Sequence, residues 1–222
     1  MIIAILGTGI VGQTLAENFS AQGHQVIIGT RSTQNKTAAD NFAEWLNKQK
    51  NITLQTFDEA VKEGQIIVNA LNGNHTISVL QNCNPQNFDH KILIDLSNPL
   101  DFSNGFPPKL IDGLNNEFSL GEAIQKQLPN AKVVKTLNTM WCGIMLNPQR
   151  VNNRQHINFI CGNDLQAKQE VVTLLKNFGW TDQTILDLGD ISNARGTEGY
   201  LLLWTRIYAA TQNGAFNVQI VT

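Results

Sequence analysis

The residues Gly7-Thr8-Gly9-Ile10-Val11-Gly12 have the spacing G-x-G-x-x-G. They follow an apolar run, Ile2 to Leu6, and open an amphipathic stretch, Ile10 to Gln22. In that setting each glycine has its own task. The first makes a tight turn, the second lets backbone approach a pyrophosphate, and the third lets helix and strand pack closely. The helix that follows aims unpaired N–H groups at the anion. The spacing therefore implies a dinucleotide site, and the end of the next β-branched run indicates which dinucleotide. An NAD site usually carries Asp or Glu there to bind the ribose 2′-hydroxyl, whereas this chain has Gly29-Thr30-Arg31-Ser32. Arg31 can pair with a 2′-phosphate and the Thr30 and Ser32 hydroxyls can add hydrogen bonds, so NADP(H) is the expected cofactor.

Three more loops sit just past apolar runs: Leu71-Asn72-Gly73-Asn74-His75, Ser97-Asn98-Pro99 and Asn138-Thr139-Met140-Trp141. Ligands of open α/β sheets bind beyond the carboxyl ends of the strands, so these loops are expected to converge on the nicotinamide. Leu71, Asn72, His75, Asn98, Pro99 and Asn138 are the expected cofactor contacts, and Met140 and Trp141 the walls for a planar ring. Turn capping accounts equally well for any single asparagine. His75 after a strand reads as a helix-start residue or ribose contact before it reads as a proton donor. Lys135, inside a strand, is expected to snorkel or to serve structure. No Ser-His-Asp spacing, metal-ligand cluster or carboxylate pair stands out, so no catalytic acid or base is assigned. Hydride transfer between stacked rings needs positioning and exclusion of water rather than such a dyad.

The elements that must hold these loops alternate. Strands are expected at Gln25–Gly29, Ile52–Thr56, Ile66–Leu71, Ile92–Leu96 and Lys132–Leu137, with helices near Lys36–Gln49 (Ala39, Phe42, Ala43 and Leu46 on one face), Asp58–Glu63, Thr76–Gln81 and Leu120–Leu128. This pattern implies an α/β chain of Rossmann type, a doubly wound parallel sheet covered on both faces. A polar stretch through Asn147, Pro148, Asn152 and Asn153 marks a boundary. Residues 1–150 are expected to form the NADP-binding unit, and residues 151–222 a small C-terminal α/β lobe completing an acceptor pocket and a dimer interface. That lobe is expected to hold strands at Ile157–Cys161 and Ile185–Leu188 and a helix from Asp164 to Phe178. Its last helix, Asn193–Asn213, carries Leu201-Leu202-Leu203-Trp204, a run too continuous for a surface stripe, so burial against the sheet, a second subunit or both is expected.

Composition narrows the classes. With 222 residues, 42% hydrophobic and 15% charged, and a net charge of -2, the chain can bury a sizeable core and is not disordered. No Lys/Arg cluster could neutralise a phosphate backbone, so nucleic acid is not an expected partner. No apolar run approaches the roughly 20 residues that cross a bilayer, and no basic residues precede the first apolar run, so a cytoplasmic chain without a membrane partner is expected. Cys83, Cys142 and Cys161 have neither disulfide-framework nor zinc spacing.

The phosphate fingerprint, Gly29-Thr30-Arg31-Ser32, Ile94-Asp95-Leu96-Ser97-Asn98-Pro99, Val133-Val134-Lys135-Thr136-Leu137-Asn138, Cys161-Gly162-Asn163-Asp164 and Ser192-Asn193-Ala194-Arg195-Gly196-Thr197-Glu198 occur in order. In this the chain resembles the NADPH-dependent reductases of the deazaflavin coenzyme F420, and also the oxidoreductase domain of the six-transmembrane metalloreductases. Its Ser97-Asn98-Pro99 and Asn138 look more like the latter. The resemblance implies NADP held by Thr8, Ile10, Val11, Thr30 and Arg31, a C-terminal lobe closing over a second planar cofactor, and homodimers. Arg195 and Glu198, three residues apart on the last helix, fit a local ion pair or a role at the pocket or interface. The expected function is an NADPH-dependent oxidoreductase passing hydride to a deazaflavin, flavin or other small conjugated acceptor. The rival is a non-catalytic NADPH-binding redox sensor. A hydroxyacid dehydrogenase or imine-type reductase ranks lower, since those relatives add a long helical domain.

Overall fold

The computed structural model describes residues 1–36 and 41–221. Among these described residues the strands are β1 (Ile2–Leu6), β2 (Gln25–Thr30), β3 (Ile52–Thr56), β4 (Ile66–Asn69), β5 (Ile92–Asp95), β6 (Leu100–Asp101), β7 (Lys109–Leu110), β8 (Lys132–Thr136), β9 (Asn158–Gly162) and β10 (Ile185–Asp187). The helices are α1 (Ile10–Ala21), α2 (Thr33–Lys36), α3 (Asn41–Asn47), α4 (Phe57–Glu63), α5 (Gly73–Gln81), α6 (Leu120–Gln127), α7 (Cys142–Met145), α8 (Leu165–Asn177) and α9 (Ala194–Thr211). Eight strands form one sheet in the order β10-β9-β8-β5-β4-β1-β2-β3, while β6 and β7 make a separate ribbon. The order reverses between β1 and β4, which opens a crevice at the carboxyl end of the sheet where α/β proteins bind ligands.

Strand β1 is apolar throughout because both of its faces are covered. Ile3, Ala4, Ile5 and Leu6 of β1 are completely buried. One face of the sheet packs against Leu15 and Phe19 of α1, Phe42 of α3, Ile144 of α7 and Val171 and Leu175 of α8. The other packs against Ala60 and Val61 of α4, Leu80 of α5, Leu120 and Ile124 of α6 and Ala194 of α9.

The sheet is mostly rather than wholly parallel. Strand β9 runs antiparallel to β8, and β10 is parallel to β9. The chain leaving β8 turns at Leu137, whose φ is 60°. It passes through α7 and two 3-10 turns, Pro148–Arg150 and Asn152–Arg154. Asn152 and Asn153 there take left-handed φ of 43° and 49°, a conformation asparagine tolerates better than most residues. Because β9 starts where β8 ends, this whole connection stays at the ligand end of the sheet. The polar stretch read as a boundary is this connection, and the strands beyond it continue the same sheet.

Of the expected helix Lys36–Gln49 only part lies among the described residues. Within the span Lys36–Gln49 the described residues form the end of α2 and α3, with Phe42 buried and Leu46 packed partly against the core; Ala39 lies outside the described residues. Helix α9 is buried on one face only, through Ala194, Thr197, Glu198, Leu201 and Thr205. Consecutive apolar residues turn about 100° per step around a helix, so the run cannot share one face, and Leu203 and Tyr208 are exposed. Among the described residues, no helix is long and apolar enough to cross a membrane.

Candidate cofactor and acceptor site

The phosphate turn has the geometry its glycines require. Gly7 has φ of 124°, outside the comfortable range of other residues. A Cβ on Gly12 would lie 2.1 Å from the Gly7 carbonyl oxygen, so only glycine lets α1 seat against the turn. Gly9 differs, since a Cβ there would meet nothing within 4 Å. That open side leaves the backbone free for an incoming group. Gly9 is also the N-cap of α1, with no side-chain cap and no acidic residue in the first turn, so the helix presents its N–H groups and a positive dipole end to an anion.

Two cavities flank this turn. The first, of about 510 Å³, is lined by residues including Gly7, Thr8, Thr30, Arg31, Phe57, Asp58, Leu71, Asn72 and His75. Arg31 is exposed at the end of β2, while Thr30 is buried beneath it. The carboxylate of Asp58 is engaged by the Asn84 backbone N–H at 2.7 Å and the Asn87 side chain at 3.0 Å. Ser32 and Pro99 line neither cavity. Pro99 is buried behind its loop, where its nitrogen would lie 3.1 Å from a Cβ on Gly73. His75 reaches only the first cavity, away from the ring-walled one.

The second cavity, of about 330 Å³, is where the loops after β4, β5 and β8 converge. Leu71 and Asn72 line both cavities and form the ridge between them. Asn72 also caps α5 by accepting from the Asn74 N–H at 2.9 Å, as turn capping would have it. Ile10 and Val11 face this cavity rather than the first. Asn98 donates to the Asn138 carbonyl at 2.8 Å, and the Asn138 amide donates back to Asn98 Oδ1 at 2.9 Å. That pairing leaves Asn138 Oδ1 buried without a hydrogen-bond partner. The cavity walls include Met140 and Trp141, as expected, together with Phe102, Cys142, Leu201 and Trp204. Trp204 stacks on Phe216 at 5.3 Å between centroids, bringing the C-terminal segment against this wall. Burial pushes the Cys142 thiol up from its ordinary pKa, so it stays protonated near neutral pH.

The structure does not bring Arg195 and Glu198 to either cavity, nor to each other. Arg195 makes a bidentate pair with Glu122 of α6, at 2.8 and 2.6 Å. Glu198 is 2% exposed and accepts from the Leu120 and Gly121 N–H groups at 2.8 and 2.9 Å, capping α6. It also meets Lys135 at 2.7 Å. Lys135 does not snorkel. Its ammonium is buried and reaches Asp95 at 2.8 Å and the Ser97 carbonyl at 2.6 Å. Burial alone would push the Lys135 pKa down, but the charges and hydrogen bonds of Asp95 and Glu198 reverse this and hold it above the ordinary lysine value. Asp95 further accepts from the Ser97 N–H at 3.0 Å and Asn69 Nδ2 at 2.7 Å. This node ties the ends of β4, β5 and β8 to α9, and so fixes the Ser97-Asn98 loop relative to the helix carrying Leu201 and Trp204.

Comparison with known proteins agrees with this geometry. The family described as NADP oxidoreductase, coenzyme F420-dependent, matches residues 2–99. A solved protein from Arthrobacter sp. FB24, described provisionally as an F420-dependent NADP-reductase, superposes with a TM-score of 0.94 at 43% identity, over 99% of each chain. The chain belongs to the F420-dependent NADP oxidoreductase family. Metalloreductase STEAP3 of Rattus norvegicus is 29% identical to this chain over 196 residues, which cover 88% of the chain and 35% of the metalloreductase. The chain thus spans about a third of the length of that relative. A reductive aminase from Aspergillus terreus solved with NADPH shares the fold, with a TM-score of 0.63 at 16% identity over 95% of this chain and 62% of its own.

Proposed function

We propose that this oxidoreductase binds NADPH along both cavities and passes its hydride to a flavin-like conjugated acceptor in the second. The α1 N-terminus and the open side of Gly9 take the pyrophosphate, and Arg31 with Thr30 takes the 2′-phosphate, favouring NADPH over NADH. Leu71 and Asn72 carry the cofactor from one cavity to the other. The buried Asn138 Oδ1 is an acceptor awaiting a donor, and the carboxamide of the nicotinamide supplies one of the right chemistry. NADPH, when bound, supplies the hydride.

The observation that carries the proposal is the second cavity itself. It is walled by Met140, Trp141, Leu201 and Trp204, and among the described residues no Asp, Glu, Lys, Arg, His or Tyr lines it. Reducing a simple ketone or imine leaves charge on one atom and calls for a positioned proton donor. A conjugated heterocycle can spread that charge over its own ring, so residues that orient and exclude water suffice. The test combines NADPH and NADH titration by calorimetry with NADPH oxidation in the presence of a deazaflavin, FMN, FAD and ferric chelates. The proposal expects much tighter NADPH binding and turnover with a planar ring. Tight NADPH binding with no turnover would favour the non-catalytic sensor instead.

A further inference from the structure

Among the described residues the walls of the second cavity are uncharged, but a guanidinium stacks on one of them. The Trp141 ring lies so close over Gly143 that a Cβ there would sit 2.3 Å from its carbons. Gly214 of the C-terminal segment approaches from another side, where a Cβ would lie 3.5 Å from Trp141 Cβ and Cγ. Arg150 completes the setting, with its guanidinium 5.3 Å from the Trp141 ring centroid. It donates to the Gly143 carbonyl at 3.1 Å. Among the described residues no carboxylate pairs with Arg150, and its side chain is exposed. A guanidinium has five N–H donors, and stacking over an indole holds its plane while most of those donors remain available.

We propose that Arg150 is the anion-recognising residue of the acceptor cavity, selecting planar acceptors that carry a phosphate or carboxylate side chain. The inference rests on the reading that the second cavity receives the acceptor. A ring seated against Trp141 would point its charged substituents outward, since among the described residues no charged group lines the cavity to meet them. Trp141 is 39% exposed, so it stands at the cavity mouth, and Arg150, though not itself a lining residue, stacks on that ring. The opposing view is that Arg150 only packs Trp141 in place, and the two views differ in what they demand of the ligand.

FMN and riboflavin share one ring system and differ by a phosphate, which makes them suitable probes. Each is titrated into NADP⁺-saturated protein and followed by flavin fluorescence, so that binding is read without turnover. FMN should bind about fivefold tighter than riboflavin, the scale of one partly solvated charge pair, and the preference should shrink with added salt. Arg150→Gln should abolish the preference with riboflavin affinity unchanged, and Arg150→Glu should invert it. Equal affinities in the native protein, binding of neither flavin, or equal losses for both flavins in Arg150→Gln would overturn the proposal. An FMN preference with no NADPH oxidation by a deazaflavin, FMN or FAD would uphold the anion site and contradict the reductase reading. Oxidation at equal flavin affinities would do the reverse.

Discussion

Replacing Lys135 with methionine keeps much of its length and removes its charge from a place where two carboxylates depend on it. Its ammonium meets three oxygens, Asp95 Oδ2 at 2.8 Å, Ser97 O at 2.6 Å and Glu198 Oε1 at 2.7 Å. The carboxylate side chains are 0% and 3% exposed, so water cannot replace the lost partner without rearrangement. Breaking a buried ion network by removing one member costs about 3–5 kcal/mol. The lower end applies here, because Asp95 keeps the Ser97 and Asn69 donors and Glu198 keeps two backbone N–H groups of α6. A loss of about 3 kcal/mol is therefore expected, a large share of the roughly 5–15 kcal/mol that holds a typical domain folded. Urea denaturation of the cofactor-free protein reads this as a lower midpoint at unchanged slope. Adding Glu198→Gln to Lys135→Met removes one stranded charge, so the double variant should lose less than the sum of the two single losses. The acceptor KM should rise more than the NADPH Kd, because the node sets α9 against the Ser97-Asn98 loop. A single-variant loss below about 1 kcal/mol, or strict additivity in the double variant, would refute the reasoning.

Three further outcomes follow from the site. Arg31→Ala should weaken NADPH binding by about 1.5–3 kcal/mol, the scale of a charged hydrogen bond, and barely change NADH binding in the same calorimeter. Gly9→Ala should fold with an unchanged Tm because its Cβ has open space, yet bind NADPH poorly; Gly12→Ala should lower the Tm because its Cβ falls 2.1 Å from the Gly7 carbonyl oxygen. The Arg195 guanidinium, followed by the Ser119 hydrogen bonds, outweighs partial burial and holds Glu122 down at about 2 from an ordinary 4.5. The folded-state pKa is the lower one, so this stabilisation is complete above pH 4.5 and is lost as pH falls through about 2. Acid titration of stability should flatten in that window for Glu122→Gln.

The parts of the fold legible in the sequence are those governed by local rules. Strand β1 is an unbroken apolar run because both of its faces are covered, and the glycine spacing encodes the turn that follows it. The direction of β9 was not legible, since a short run such as Ile157–Cys161 specifies a strand and not its sense. What reverses it is the connection through α7 and the two 3-10 turns, which never crosses the sheet. The ion node was also hidden by distance along the chain. Its signal lay in Asp95 and Lys135, opposite charges inside two runs apolar enough to be buried on both faces; they are register partners in β5 and β8. A buried strand cannot leave such charges unpaired. Reading Arg195 with Glu198 as neighbours three apart missed that each is claimed by α6. Trp204, visible only as part of a continuous apolar run, became a site residue once α9 turned that face toward the loops.

The measurement closest to the central claim is an anaerobic single turnover with NADPH deuterated at the transferred position and a deazaflavin as acceptor. A deazaflavin receives hydride at carbon, so the label does not wash out into water. The account predicts one deuterium carried to the acceptor ring, with none lost to solvent. NADPH consumed with no label in the ring, or no consumption at all, would contradict direct hydride transfer in the second cavity.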